Sequence, residues 1–401
     1  MNKYYKLSNI LIITFLVFTS FFIWTANASS DNPEIKLVTN EGQAKHLKDV
    51  NFYAFNHEGN YHSLSSSRFE FKENDAKYFD EKSIISQMDS KSQVLTDELI
   101  SNYRSFMRGK SPNSDQYILS DDWIVYTGLK NDVYWADFSN NEMTISLLDR
   151  KTKEEKEFTI VLGDNEEYFT LKTAQLNYPE LNILLAQNSE NAPSKHFIAS
   201  FDFEHPKEKL TKKVEFSEEF QDDEFLQFEK NNNKTGRYIP MRTVRTTMNS
   251  EYEESDETVA YFVYDSQTES LIKLPTFEEE TILLADQNHL YLAKDKGEEL
   301  DFYEFNPENE EVRSIGEINV SSSLIGRDQD RIYSQYFNER MILSNGKLYL
   351  YGQEDIQRSF LPVFQVIDME TQKTLFLGKI DYLQPELKDN RNIQIFDFYL
   401  N

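Results

Sequence analysis

One pattern returns along the chain and limits what it can fold into: alternating apolar residues, an Asp or Asn, a few polar residues, then alternation again. It is clearest in Tyr261–Leu274 (YFVYDSQTESLIKL), Phe302–Ile315 (FYEFNPENEEVRSI) and Phe364–Leu377 (FQVIDMETQKTLFL), with looser copies at Phe52–Leu64, Ile145–Val161 and Ile198–Val214. Successive side chains of an extended strand point to opposite faces, so period-2 runs around a short polar turn read as β-hairpins. The residue opening each turn (Asn56, Asp149, Asp202, Asp265, Asn306, Asp368) has a local reason. Its side chain accepts a bond from a backbone N–H two residues on. A second element, two strands around a tight polar turn, precedes several hairpins: Tyr117–Gly128, Ile282–Ala293, Met341–Gly352 and, as a fourth, Ala174–Gln187. Strand pair plus hairpin makes a four-stranded antiparallel unit. Units start at residues 117, 174, about 225, 282 and 341; the one near 225 is the weakest, because FLQFEKNNNKTGRYIPMRTV does not follow the strand-pair pattern.

Units of about 40 to 60 residues with four strands each resemble β-propeller blades. The resemblance is one of repeat architecture and covers most of residues 35–401. The Gly-His and Trp-Asp signatures of Trp-Asp repeats are absent, as is the Ser-x-Asp-x-Gly-x-Thr-Trp box of sialidase-type propellers. It implies an all-β chain, and the two ends complete the idea. Ile393–Leu400 (IQIFDFYL) alternates with no hairpin after it, while Phe52–Leu64 has no strand pair before it. Joined, they form one blade from both termini and leave no open strand edge. Five full units and one composite make six blades, or seven if residues 70–116 or 320–338 hold another. One segment departs from the β pattern. Leu95, Leu99, Tyr103, Phe106 and Met107 fall at helical spacing, with Thr96 placed to cap the start and Gly109 and Pro112 to stop it. This predicts a helix over about 96–108 within an insertion at 75–110, serving as a connector or as a lid or partner-docking element.

The N-terminus reads as an address. Lys3 and Lys6 precede the apolar run Ile10–Trp24, and Ala26-Asn27-Ala28 is a small-x-small cleavage site. The expectation is a signal peptide over residues 1–28 followed by a single propeller domain over 29–401; the alternative is an uncleaved anchor, for which the run is short of the roughly 20 residues a spanning helix needs. Either way the protein is expected outside the cytoplasm, secreted or attached to the outer face of a bacterial membrane. The net charge is −27, and losing the segment makes it two units more negative. Such a chain repels polyanions, so nucleic acid is not an expected partner. The absence of cysteine excludes a disulfide scaffold, a thiolate-held metal and a thiol nucleophile.

Motifs for chemistry are sparse. The sequence has no Gly-x-Ser-x-Gly elbow, Gly-rich phosphate loop or Asp-x-Asp-x-Asp-Gly calcium loop. Of the histidines His46, His57, His62, His196, His205 and His289, only His57 and His62 flank one hairpin turn. Acidic clusters at Asp121-Asp122, Asp222–Glu224, Glu251–Glu257, Glu278–Glu280 and Glu308–Glu311 sit near inferred turns. They read as solvated loops, as calcium-holding carboxylates, or as a glycosidase-type carboxylate pair. Otherwise no cofactor is expected. From Lys230 to Ser250 the background inverts: Lys230, Lys234, Arg237, Arg242 and Arg245 occur with no acid. Lys234, Arg237, Arg242 and Arg245 are therefore the candidate site for an anion or an acidic partner, Arg offering a planar bidentate fork. Neutralisation by the flanking acids is the competing reading. Arg242 and Arg245, three apart, point to opposite faces of an extended strand. The aromatic strands, including Trp123 and Trp135, read as core.

The function expected from this is an exported module for protein interaction or ligand binding at the cell envelope, with an envelope or membrane protein as partner and catalysis not favoured. Two alternatives stand beside it: an envelope glycoside hydrolase or lyase acting on carbohydrate through a carboxylate pair, and an extracytoplasmic sensor of an anionic ligand.

Overall fold

The computed structural model describes residues 32–58, 66–72, 75–78, 94–129, 141–163, 168–189, 192–215, 224–228, 234–248, 254–275, 281–296, 299–321, 324, 341–356, 359–384 and 391–400. In chain order, β1 (Ile35–Gly42) precedes β2 (Val50–Glu58), β3 (Ser66–Lys72) and β4 (Asp75–Tyr78). Helices α1 (Val94–Asn102) and α2 (Arg104–Met107) follow. Next come β5 (Tyr117–Leu119), β6 (Trp123–Leu129), β7 (Glu142–Asp149) and β8 (Glu155–Val161), then β9 (Tyr168–Asn177), β10 (Glu180–Ser189), β11 (Ala192–Asp202) and β12 (Thr211–Glu215). A fourth set is β13 (Glu224–Phe228), β14 (Tyr238–Met248), β15 (Glu254–Asp265) and β16 (Ser270–Lys273), and a fifth β17 (Thr281–Asp286), β18 (His289–Asp295), β19 (Glu299–Asn306) and β20 (Glu311–Asn319). The last is β21 (Met341–Ser344), β22 (Lys347–Ile356), β23 (Ser359–Asp368) and β24 (Thr374–Tyr382), before β25 (Arg391–Leu400).

These strands pair as six antiparallel meanders, β5 to β8, β9 to β12, β13 to β16, β17 to β20, β21 to β24, and β25-β2-β3-β4. Six such sheets in a ring make a six-bladed β-propeller. The blade near residue 225 is complete, its first strand being the short β13. The composite blade is present as well: β25 pairs antiparallel with β2 from Val50↔Leu400 to Glu58↔Arg391. We number it blade 1 and the others 2 to 6 in chain order.

Blades are held to one another by apolar side chains from facing sheets. Between blades 6 and 1, Phe52 is fully buried and stacks on Phe71 at 4.8 Å and on Phe364 at 5.3 Å. Burying one such ring is worth about 1.5–3 kcal/mol. Similar clusters join blades 2 and 3, 3 and 4, 4 and 5, and 5 and 6. The first strand of blade 5, β17, is packed on both faces and has every residue buried, leaving no alternation to read.

Four features differ from the sequence reading. First, β1 adds as a fifth strand to β24, Ile35↔Tyr382 to Gly42↔Phe376, so both termini lock the ring. Gly42 is required there: its φ is +74, and a Cβ would stand 2.0 Å from the carbonyl oxygen of Leu375. Second, the insertion does not begin at residue 75, because Ala76 and Tyr78 turn inward and Asp75–Tyr78 forms the last strand of blade 1. Third, the helix is not continuous over 96–108. Tyr103, at φ −136 and ψ 49, divides α1 from α2, and Thr96 is buried within α1 rather than capping it. Fourth, Asn56 opens no turn; it is buried in β2, accepting from Tyr382 Oη at 2.7 Å and pairing with Ser67.

The helices have a definite place. Leu99, Phe106 and Met107 pack on Tyr117, Ile124, Tyr126 and Leu148 of blade 2, while Leu95 reaches Tyr53 and Tyr399 of blade 1. Glu98 accepts from Tyr399 Oη at 2.9 Å and pairs with Lys72 at 3.0 Å. They form a wedge between the closing blade and its neighbour. Among the described residues no helix is long and apolar enough to cross a membrane; residues 1–31, including the expected signal, lie outside the described set, as do Lys230, His62 and Trp135.

Candidate functional site: the turn face

In an antiparallel meander, the turn joining the first two strands and the turn joining the last two lie at the same edge. The ring collects these turns on one face. Asn56 apart, the Asp or Asn of each hairpin acts there as expected. Asp149 Oδ1 accepts from the N–H of Lys151 and Thr152, Asp202 Oδ1 from Glu204 and His205, Asp265 Oδ1 from Gln267, Asn306 Oδ1 from Glu308, and Asp368 Oδ1 from Thr371, all at 2.7–3.1 Å. These backbone donors hold Asp149 and Asp202 below the usual carboxylate range, and Thr371 does the same for Asp368.

A second repeated bond was not legible in the sequence. The residue after the acid donates its N–H to the first turn of the same blade: Arg150 to Asp122, Phe203 to Pro179, Ser266 to Arg237 and Met369 to Gly346, at 2.9–3.0 Å. Blade 5 has Pro307 at that position, which has no N–H to give. Neighbouring blades are tied along the same face. Gln287 Nε2 donates to Asn345 Oδ1 at 3.2 Å and Gly346 N–H to Asp286 at 2.8 Å. Asn177 Nδ2 donates to Ser266 Oγ at 3.2 Å. The turns of blades 2, 3, 4 and 6 are thus tied within their blades, and those of blades 3 and 4 and of blades 5 and 6 to each other.

The basic strip is built into this frame. Residues 234–237 thread between blades 3 and 5: Leu176 N–H donates to the Lys234 carbonyl, and Gly236 N–H to that of Leu176. Gly236 bridges Gln287 in parallel, and a Cβ there would meet the Gln287 carbonyl at 2.7 Å. Arg237 turns its fork inward, Nε to Asp265 Oδ1 at 2.7 Å and Nη2 to Oδ2 at 2.6 Å, with Glu308 at 3.4 Å and the ring of Tyr238 4.9 Å beneath. Burial opposes ionisation of Asp265, yet Arg237 holds it below the ordinary range. Lys234 Nζ donates to the carbonyls of Asp115 at 2.6 Å and Tyr117 at 3.3 Å; burial lowers it to about 8. Arg242 Nη1 donates to Thr258 at 3.3 Å. Arg245 stands in register between Glu224 and Glu257. An anion at Arg237 would have to displace Asp265.

Of the acidic clusters, Asp122 is paired with Lys151 at 2.5 Å, and Glu308 belongs to the Arg237 group. Asp222, Asp223, Glu251 and Glu278–Glu280 lie outside the described residues. Among the described residues no three of His, Cys, Asp or Glu converge as metal ligands. His205 Nδ1 lies 3.0 Å from Asp202 and His289 Nδ1 2.8 Å from Glu304. The aromatic reading missed one pair. Trp123 is half-buried and stacks on Tyr178 of the next blade, centroids 4.6 Å apart and planes 9° apart. Tyr178 itself is 41% exposed. The Tyr-Pro dipeptide between two apolar runs was the available signal.

No protein-family model matches this chain, and no curated protein does. Among solved structures it is similar to an oligogalacturonate lyase in complex with manganese, at 11% identity and a TM-score of 0.38 over 85% of this chain and 83% of that one. A prolyl endopeptidase aligns at 10% identity and 0.38, over 87% of this chain and 50% of that one, so this chain spans half the endopeptidase's length. The β-propeller domain of the Trilobed protease from Pyrococcus furiosus aligns at 11% and 0.28, over 88% and 100%.

Proposed function

We propose that this chain works by binding: an exported propeller whose turn face engages another protein at the bacterial cell envelope. The observation that carries the reading is the repeated bonding of that face. Side-chain caps, backbone ties within blades and amide bonds between blades fix the turns in place. A preorganised surface loses little conformational freedom on association, which is the main avoidable cost of binding. The exported location rests on Met1–Ala28, and the net charge of −27 argues for a partner that is not a polyanion.

The test is a cross-linked pull-down of the tagged full-length protein from its own host's membrane fraction, with mass spectrometry of its N-terminus in the same sample. A stoichiometric envelope protein in the eluate is the expected result, and a first peptide starting at Ser29 would establish cleavage. An empty eluate, with the protein released into the medium, would overturn the reading.

A further inference from the structure

Among the described residues, Tyr178 is the one aromatic in the set of exposed large hydrophobic side chains. One exposed ring is ordinary surface; what distinguishes this one is that its position and the charge around it are both set by the fold. This ring is held at both ends. It sits in the two-residue turn between β9 and β10, closed by Asn177↔Glu180, and Pro179 accepts the Phe203 N–H at 3.0 Å. One face lies flat against Trp123.

The charges that act on the Tyr178 hydroxyl are carboxylates. Burial raises the Tyr178 hydroxyl above its ordinary pKa, and the charges that add to this are Glu204, Asp149 and Asp202, all carboxylates. Asp149 and Asp202 are kept ionised by their own backbone caps. The nearby cations are engaged: Lys151 on Asp122 at 2.5 Å, and Arg150 Nη1 on the Ser120 carbonyl at 2.7 Å. His205 leans on Asp202 at 3.0 Å.

We propose that the Trp123–Tyr178 stack is the docking point for a basic segment of the partner protein, with a Lys or Arg side chain laid against the exposed part of the Tyr178 ring and its cation among Asp149, Asp202 and Glu204. The proposal deepens the binding reading above and rests on it. A cation is attracted to the negative face of an aromatic ring, and a guanidinium also stacks flat on it. The ring supplies position, and the carboxylates supply the sign that selects base over acid.

The test titrates the full-length protein with a short arginine-rich peptide, at low and at physiological ionic strength, following tryptophan fluorescence and binding heat. Thermal unfolding verifies that each variant folds. Tyr178→Ala is expected to weaken binding by about fivefold or more, Tyr178→Phe to keep it, and Glu204→Gln to weaken it about two- to threefold with a shallower salt dependence. Glu310→Gln, on an acidic turn of blade 5, is expected to leave it unchanged. Equal weakening by Tyr178→Ala and Glu310→Gln would mean diffuse acidity and overturn the proposal. So would binding of a neutral oligosaccharide in place of the peptide. The pull-down separates the two claims. A host partner captured equally by wild type and Tyr178→Ala would overturn the docking point and leave the binding reading intact. Tyr178-dependent peptide binding with no partner in the host eluate would uphold the docking point and overturn the envelope reading.

Discussion

Arg237 and Asp265 show how the basic strip differs from its appearance in the sequence. A run of bases without acids looks like an open anion site, yet the fork of Arg237 is filled by a carboxylate 28 residues on, at the opening of a hairpin turn. Asp265 is 1% exposed. Removing Asp265 leaves the Arg237 fork with only its longer contact to Glu308, so Asp265→Asn is expected to cost up to about 3–5 kcal/mol in urea unfolding. Because the folded carboxyl is held low, its contribution is present above its unfolded value near 4 and is lost as pH falls through the folded value. Lys234 predicts the same sign in a higher window, for the opposite reason: it is the charged form that burial disfavours. Its folded amine, at about 8, gives up its proton before the unfolded one, so folding binds fewer protons between about 8 and 10.5. Stability should therefore rise with pH across that window by roughly 1–3 kcal/mol more in the wild type than in Lys234→Met, measured by chemical unfolding at each pH. The caps at Asp149, Asp202, Asp265, Asn306 and Asp368 were legible because donor and acceptor are two or three residues apart. Lys234 was legible as a charge but not as a bond, since its carbonyl acceptors lie 117 and 119 residues earlier.

At the scale of elements, the ring is closed three times over: by β25 on β2, by β1 on β24, and by α1 and α2 between blades 1 and 2. The first closure could be read from sequence, because Ile393–Leu400 alternates with no hairpin after it and Phe52–Leu64 has no strand pair before it. The second could not. β1 (IKLVTNEG) is mostly exposed, so its alternation is weak, and its pairing depends on Gly42 fitting beneath Leu375. The helices were visible by spacing, but their role as a wedge depends on rings of two adjacent blades, among them Tyr53 and Tyr399 far away in sequence. Leu99 is 2% exposed at the centre of that wedge. Leu99→Ala removes its packing and leaves a cavity, with an expected cost of about 2–4 kcal/mol by equilibrium unfolding. An unchanged midpoint and slope would mean that the helices decorate the ring instead of supporting it.

At the scale of the molecule, repeat length and strand count pointed to six blades, with seven left open, because each blade is a local meander; the six sheets of the structure decide the number. What the sequence also left open was which side of the ring does the work. Two faces are built from different parts of every hairpin, and alternation alone does not separate them. The structure gives them different characters: one is a set of tied turns that includes the exposed Tyr178, and the other carries ends such as Val161, 46% exposed at the far end of β8. The most direct test of the account places a photo-crosslinking amino acid at position 178 or at position 161 of the full-length protein in its host. Adducts of one discrete protein from position 178, and none from 161, are predicted. Adducts from 161 alone, or equal labelling from both, would contradict the assignment of function to the turn face.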